Sequence, residues 1–214
     1  MINVQRFVCN MFQENCFVVS DDTKEGVIID CGAYYEEERA AIRKYVETQQ
    51  IQLKHLLLTH AHIDHCFGNN MVFKSFGLSP ELCTADVPLY NALKHQASIF
   101  CGIDYTDPIP AIGKLWDEGE IIKYGTHSLQ VRCTPGHTPG SVFLYDAAEG
   151  LAFSGDTLFR YSIGRTDFEG GSFEDIDVSL HQVVAKLPPE TVVLTGHGGR
   201  TKIKDEILNN PYLQ

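Results

Sequence analysis

Residues 59–65 read THAHIDH, which places His60, His62, Asp64 and His65 within one short stretch. Imidazole nitrogen and carboxylate oxygen are the donors that zinc and similar divalent ions favour. Such a stretch is either a polar loop with chance histidines or one arm of a metal site. Three remote residues decide between these readings: His137 in the Pro/Gly-fixed turn CTPGHTPGS, Asp156 in AFSGD and His197 in VVLTGH. The polar chemistry begins where buried, apolar strands stop, and ligand sites in α/β folds collect beyond the carboxyl ends of strands. Together these donors exceed what one tetrahedral ion accepts and suit two ions sharing a carboxylate. His60 and His62, two positions apart, point to one side of an extended chain. Asp64 and His65, continuing into the start of a helix, are placed to serve a neighbouring ion. His55, His95, His127 and His181 lack such company and read as surface or core histidines.

The elements that must position these groups alternate along the chain. NCFVVSD and GVIIDCG read as strands joined by the polar turn Asp21–Glu25. YYEEERAAIRKYVETQQ reads as a helix, with Ile42, Tyr45 and Val46 at helical spacing behind an acidic first turn. LKHLLLTH is a buried strand ending at the histidines, and FGNNMVFKSFG resumes helical spacing. Asp86–Phe100 reads as a helix, followed by the loop GIDYTDPIPAIG. HSLQVRCT, SVFLYD and LAFSGD are further strands. SFEDIDVSLHQVVAKL is the strongest helix, its stripe Ile176, Leu180, Val183, Val184 and Leu187 preceded by Ser172 as N-cap. TVVLTGH is a last buried strand, and TKIKDEILNN a closing helix stopped before Pro211. Helices covering strands in both halves predict an α/β sandwich, two sheets within and helices outside.

Composition narrows the function classes. The 214 residues, 43% hydrophobic and 21% charged, suit one globular domain over 1–214. No apolar run is long enough to span a membrane, and the first residues lack a signal-peptide pattern. A net charge of −11 argues against a nucleic-acid partner. The odd count of 7 cysteines, widely scattered, predicts free thiols in a reducing cytoplasm; Cys66, beside His65, is the one whose role stays open.

The motif HxHxDH at His60–His65, followed in order by His137, Asp156 and His197, resembles the metallo-β-lactamase superfamily. The flanking words TPGHTPGS, SGDTLF, SIGRTD and the glycine-rich TGHG are similar to its glyoxalase II-like branch, over about Asn15 to Leu213. The resemblance implies a four-layer αβ/βα sandwich. It also implies one metal held by His60, His62 and His137, a second by Asp64, His65 and His197, and Asp156 between them. Asp30, ending the strand GVIID, matches an aspartate that supports the site from behind the ligands; an ordinary turn-capping role is the alternative. Glyoxalase II proper has a Lys-x-Tyr that grips glutathione, where this chain has Arg165-Thr166-Asp167. The helical extension that adds glutathione contacts is expected to be absent. Arg165 is left with two readings, a carboxylate-holding substrate contact or a structural ion pair with an acidic neighbour.

These features predict a metal-dependent hydrolase acting on a small-molecule thioester, S-lactoylglutathione or a relative. Two divalent ions, zinc with iron or manganese as substitutes, would lower the pKa of a shared water and polarise the substrate carbonyl. Asp64 would orient the attacking hydroxide as well as ligate. A persulfide dioxygenase with one iron on His60, His137 and Asp156 is the alternative, and a non-catalytic metal-binding module is a third reading. The acyl group, the metal and the oligomeric state are not specified by the sequence.

Overall fold

The computed structural model describes residues 1–214. The first half supplies β1 (Asn3–Cys9), β2 (Glu14–Ser20), β3 (Glu25–Ile29), β4 (Gln52–Leu57), β5 (Pro80–Cys83) and β6 (Lys114–Trp116), which form a 6-stranded sheet in chain order. β1, β2 and β3 meander antiparallel, whereas β3 to β6 run parallel. Parallel neighbours need crossovers, and helices provide them: α1 (Glu36–Thr48), α2 (Asn69–Phe76), α3 (Val87–Asn91) and α4 (Leu93–Cys101). The second half supplies β7 (Ile121–Tyr124), β8 (His127–Cys133), β9 (Val142–Asp146), β10 (Leu151–Gly155), β11 (Leu158–Phe159), β12 (Ser162–Ile163), α5 (Phe173–Gln182), β13 (Val192–Thr195), β14 (Thr201–Lys202) and α6 (Ile203–Asn209). Its 6-stranded sheet has the order β14-β13-β10-β9-β8-β7, and β11 pairs with β12 in a small ribbon. No helix is long and apolar enough to cross a membrane.

The period of two along each strand sorts side chains into layers. Phe17, Val19, Val27 and Ile29 point inward and meet Val131, Val142, Leu144 and Phe153 of the other sheet, with fully buried Trp116 among them. The alternate residues Cys16, Val18 and Ile28 point the other way, onto Ile42 and Val46 of α1 and Met71 and Val72 of α2. On the second sheet, Phe143, Tyr145 and Val193 face outward onto Ile176 and Leu180 of α5 and Ile203 of α6. The result is the four-layer αβ/βα sandwich. A fourth apolar cluster, with Leu58, Ala61, Ile63, Phe67, Tyr90 and Leu93, lies under the THAHIDH stretch and makes its backbone rigid.

Several local expectations change. The strongest helix stops at Gln182, and a tight 3-10 turn, Val184–Lys186, follows. The break falls at Val183, whose φ of −114° and ψ of −61° leave the helix, and Pro188 ends the 3-10 turn by holding Leu187 extended (ψ 153°). Val184 and Leu187 still reach the core by way of the turn. The helix read over Asp86–Phe100 is broken at Ala92 into α3 and α4. Asp64 and His65 lie in a 3-10 turn, Ile63–His65, and not at the start of α2. The Ser172 N-cap is as expected, its hydroxyl accepting from the Asp175 N–H at 3.1 Å.

Candidate metal centre

The loop after β4 descends between the two sheets and is pinned by buried side chains that donate to or accept from its backbone. Asp86 accepts from the Ala61 N–H at 2.8 Å, and Gln96 accepts from the Ile63 N–H at 3.0 Å while donating to the Ala61 carbonyl at 3.1 Å. Asp86 also accepts from the Thr138 hydroxyl and the Gly140 N–H. One carboxylate therefore ties the His60–His62 loop to the turn that carries His137. Asn10 donates to the carbonyl of Asp64 at 2.8 Å and to that of Gly32 at 2.9 Å, fixing the next part of the loop. Asp86, Gln96 and Asn10 escape a reading of sequence, because a polar residue on a helix or loop carries no mark of being buried.

The expected ligands converge. His62 Nδ1 stands 2.9 Å from His137 Nε2, and the His60 and His62 rings are 4.9 Å apart between centroids. On the other side, His65 Nε2 and His197 Nε2 are 3.3 Å apart, and Asp64 Oδ2 is 3.3 Å from His197 Nε2. Asp156 lies between the two groups: Oδ2 is 3.6 Å from His137 Nε2 and 3.4 Å from His197 Nε2, and Oδ1 is 3.4 Å from His65 Nε2. His60, His62 and His137 offer ligand atoms within 4.8 Å of one another, as do Asp64, His65 and His197. His60, His65 and Asp156 form a third such group that overlaps both.

The back of each ring decides which nitrogen faces inward. His137 Nδ1–H donates to the Arg165 carbonyl at 2.7 Å, and His197 Nδ1–H to the Phe12 carbonyl at 3.0 Å. Thr59 donates its N–H and its hydroxyl to Asp30 at 2.7 and 2.6 Å, leaving the hydroxyl oxygen 3.1 Å from His60 Nδ1. His65 Nδ1 lies 3.2 Å from Asp30 Oδ2. Asp30 thus stands behind two of the imidazoles, with φ at +49°, in the left-handed region that aspartate tolerates. Glu14, fully buried with no hydrogen-bond partner, lies 4.0 Å from His65 Nδ1, and burial pushes its carboxyl well above the usual range.

A divalent ion fits this donor set. His60 Nε2 and Asp156 Oδ1 are buried without any hydrogen-bond partner, and ring nitrogens of His62 and His137 face one another at 2.9 Å. Buried polar atoms are rarely left in that condition unless an ion or water completes them. Burial pushes the His60 imidazole well below its ordinary pKa and that of His62 down to about 3, so both are held in the neutral, ligating form. His65 is lowered by burial, but Asp156 and Asp64 outweigh that and hold it well above its usual value. His197, also desolvated, is raised to about 9 by its contacts with Asp156 and Asp64. For Asp156 burial works upward, yet His65 and His197 prevail and keep it well below the carboxylate range. Protons and cations therefore compete for the same nitrogens.

Of the other features, Arg165 borders the centre and the rest lie outside it. Cys66 is buried and packs in the apolar cluster under the loop, where burial pushes its thiol well up. Arg165 forms a two-pronged ion pair with Asp167, at 2.7 Å for each contact, and its guanidinium lies 3.9 Å over the Phe168 ring. The ion pair is present, and Arg165 also lines the cavity in front of the ligands. His55, His127 and His181 pair instead with Glu81, with Asp21 and Glu149, and with Asp177.

A family model described as the metallo-beta-lactamase superfamily matches residues 9–197. Among curated proteins, the chain is 34% identical to hydroxyacylglutathione hydrolase GloC of Haemophilus influenzae, covering 99% of this chain and 98% of that one. Among solved structures, BLEG-1 B3 metallo-beta-lactamase is 33% identical with a TM-score of 0.87, covering 100% of both chains. TTHA1623, in a di-iron-bound form, is 33% identical with a TM-score of 0.86, covering 98% of this chain and 100% of that one.

Proposed function

Since the chain belongs to the metallo-beta-lactamase superfamily, as a metallo-hydrolase with glyoxalase II-like relatives, we propose that it is a thioester hydrolase with a two-ion centre. The observation that carries this reading is the position of Asp156 between two sets of converging ligand atoms. His60, His62 and His137 would hold one divalent ion, and Asp64, His65 and His197 the other, with Asp156 shared; zinc suits these donors, and iron or manganese is accepted by the same set. When bound, such ions lower the pKa of water toward neutrality and polarise an acyl carbonyl.

The chain's own residues supply position and proton handling. Asp64 is part-exposed to the cavity, with Oδ2 held 3.3 Å from His197, and it would orient the attacking water and take up its proton. Asp30 supports His60 through Thr59 and faces His65 directly, which keeps both rings from turning. The C–S bond would break to release a thiolate, a good leaving group with little need of a general acid, and the proton taken up by Asp64 would pass to that thiolate or to solvent. The 7 cysteines, all free of disulfides, support a reducing cytoplasmic setting, and the net charge of −11 weighs against nucleic acid as a partner.

The test is a panel of acyl thioesters, S-lactoylglutathione and a chromogenic β-lactam offered to the metal-loaded protein. The expected result is thioester hydrolysis that Asp156→Ala and His62→Ala abolish. Full thioester turnover by either variant would overturn the reading, as would β-lactam turnover exceeding that of every thioester.

A further inference from the structure

The cavity above the ligands has a volume of about 530 Å³, and its walls are largely apolar. Phe12, Ile63, Phe100, Phe159, Ile163 and Phe168 line it together with His62, Asp64, His137, Asp156 and His197. The rings start at the ligands themselves. Phe168 packs edge-on against His62, with centroids 5.5 Å apart, and Phe159 against His197 at 5.9 Å. Phe100 continues the wall at 4.9 Å from Phe168. Phe12 and Phe100 carry it to the surface, where they are 42% and 43% exposed.

The polar lining apart from the ligands is Ser162 and Arg165. Arg165 is the one cation in the lining, and its guanidinium is already matched by Asp167 on both prongs and covered on one face by Phe168. A glutathione carrier brings two carboxylates, and a hydroxyacyl group brings a hydroxyl that needs a partner. The cavity offers a carboxylate no cation without an acidic partner, and it offers a hydroxyl no polar side chain beyond the ligands except Ser162 and the paired Arg165; burying a polar group without a partner is costly. An alkyl or aryl chain next to the reacting carbonyl would instead lie directly on the phenylalanine rings and be removed from water.

We propose that the substrate is a thioester with an apolar acyl group, a medium-length alkyl or an aryl chain, seated between Phe100, Phe159 and Phe168. This rests on the thioester-hydrolase reading above and names its substrate class. The acyl chain leaves the carbonyl over the ligands and runs along Phe168 and Phe100 toward the opening. Selectivity then follows apolar area and not hydrogen bonding.

The experiment uses metal-loaded protein and N-acetylcysteamine thioesters from acetyl to octanoyl, with benzoyl and with S-lactoylglutathione alongside. kcat/KM should rise about threefold per methylene from acetyl to hexanoyl, a little under the full transfer value of a buried CH₂. Hexanoyl should exceed S-lactoylglutathione at least tenfold, about 1.4 kcal/mol. Phe100→Ala and Phe168→Ala should each lower the hexanoyl-to-acetyl ratio, with metal content as the check that the site is intact. A second readout is calorimetric binding of non-hydrolysable S-alkyl thioethers, in which S-hexyl should bind at least tenfold tighter than S-(2-hydroxyethyl). A flat series, or S-lactoylglutathione as the best substrate, would overturn this inference and leave the thioester-hydrolase reading in place. If no thioester is turned over, that reading fails, and equal affinities for the two thioethers would then overturn the apolar preference as well.

Discussion

His62 Nδ1 and His137 Nε2 stand 2.9 Å apart although 75 residues separate them in sequence. Two ring nitrogens at that distance cannot both point protons at one another, and desolvation keeps His62 neutral. The pair is held by Asp86, which grips the loop of one and the turn of the other, and by the Arg165 carbonyl behind His137. The arrangement is prepared for a cation before any substrate enters, which is the condition for a precise site.

Metal content is the first expected outcome. Protein saturated with zinc or iron should carry two ions per chain by elemental analysis, and Asp156→Ala should lose at least one of them. One iron per chain together with persulfide-dependent oxygen uptake would instead favour the dioxygenase alternative, in which His62, Asp64, His65 and His197 have no ligand role.

Asp30 should act on metal affinity more than on folding. Asp30→Asn keeps the size of the side chain and a residue type that accepts φ of +49°, but it removes the charge facing His65. Metal affinity, measured by competition with a chelator, should fall by about 10- to 100-fold, as is common for groups behind a ligating histidine. Unchanged affinity would show that Asp30 only caps its turn.

Gly196 should be intolerant of a side chain. A Cβ there would run into Asp156 Oδ1 and approach His65 Cε1 at 2.8 Å, so the strand end itself sets the carboxylate position. Gly196→Ala is expected to lower metal content and thioester turnover together. The far-ultraviolet circular dichroism should be retained, because Gly196 lies just past the end of β13 and the strand pairings stay in place.

Asp21 gives a pH-dependent prediction remote from the centre. It accepts from the Thr126 N–H at 2.7 Å, the Thr126 hydroxyl at 2.8 Å and the Thr23 N–H at 2.9 Å, joining the end of β2 to the turn between β7 and β8. Burial works to raise its pKa, but these donors and His127 outweigh it and hold the carboxyl well below the usual range. A depressed carboxyl stabilises the fold above its unfolded value of about 4, and that contribution is lost as pH falls below it. Asp21→Asn should therefore cost about 2 kcal/mol at pH 7, lowering Tm by about 6 °C. The gap from the unmodified protein should narrow when melting is measured at pH 3; a constant gap would show that the carboxylate charge is not the stabilising feature.

The α/β layering was readable because period-two and period-3.6 apolar patterns are local, and Phe17, Val19, Ile28, Ile42 and Val46 fall where those patterns put them. The short strands β5, β6, β7 and β14 were not, since two to four residues cannot establish a period. Edge strand β1 is hidden for a related reason: its pairing with β2 is long, but apolar Val8 lies on the exposed face and polar Gln5 on the other, which blurs the alternation. The helix end at Gln182 is not legible in the sequence because the apolar stripe continues through the irregular Val183 and the 3-10 turn after it.

By itself the sequence determined which groups are available for chemistry: five histidines and two aspartates at strand ends, in an order matched by a known superfamily. Only the tertiary structure decided what those groups face. It put Asp156 between the two ligand sets, placed Asp30 behind His60 and His65, closed Arg165 onto Asp167, and turned the phenylalanines of four separate loops and elements toward one opening. The physical reason is that residue type and spacing are properties of one segment. Burial, the back partner of a ring and the composition of a cavity wall depend on which distant segments the two sheets bring together.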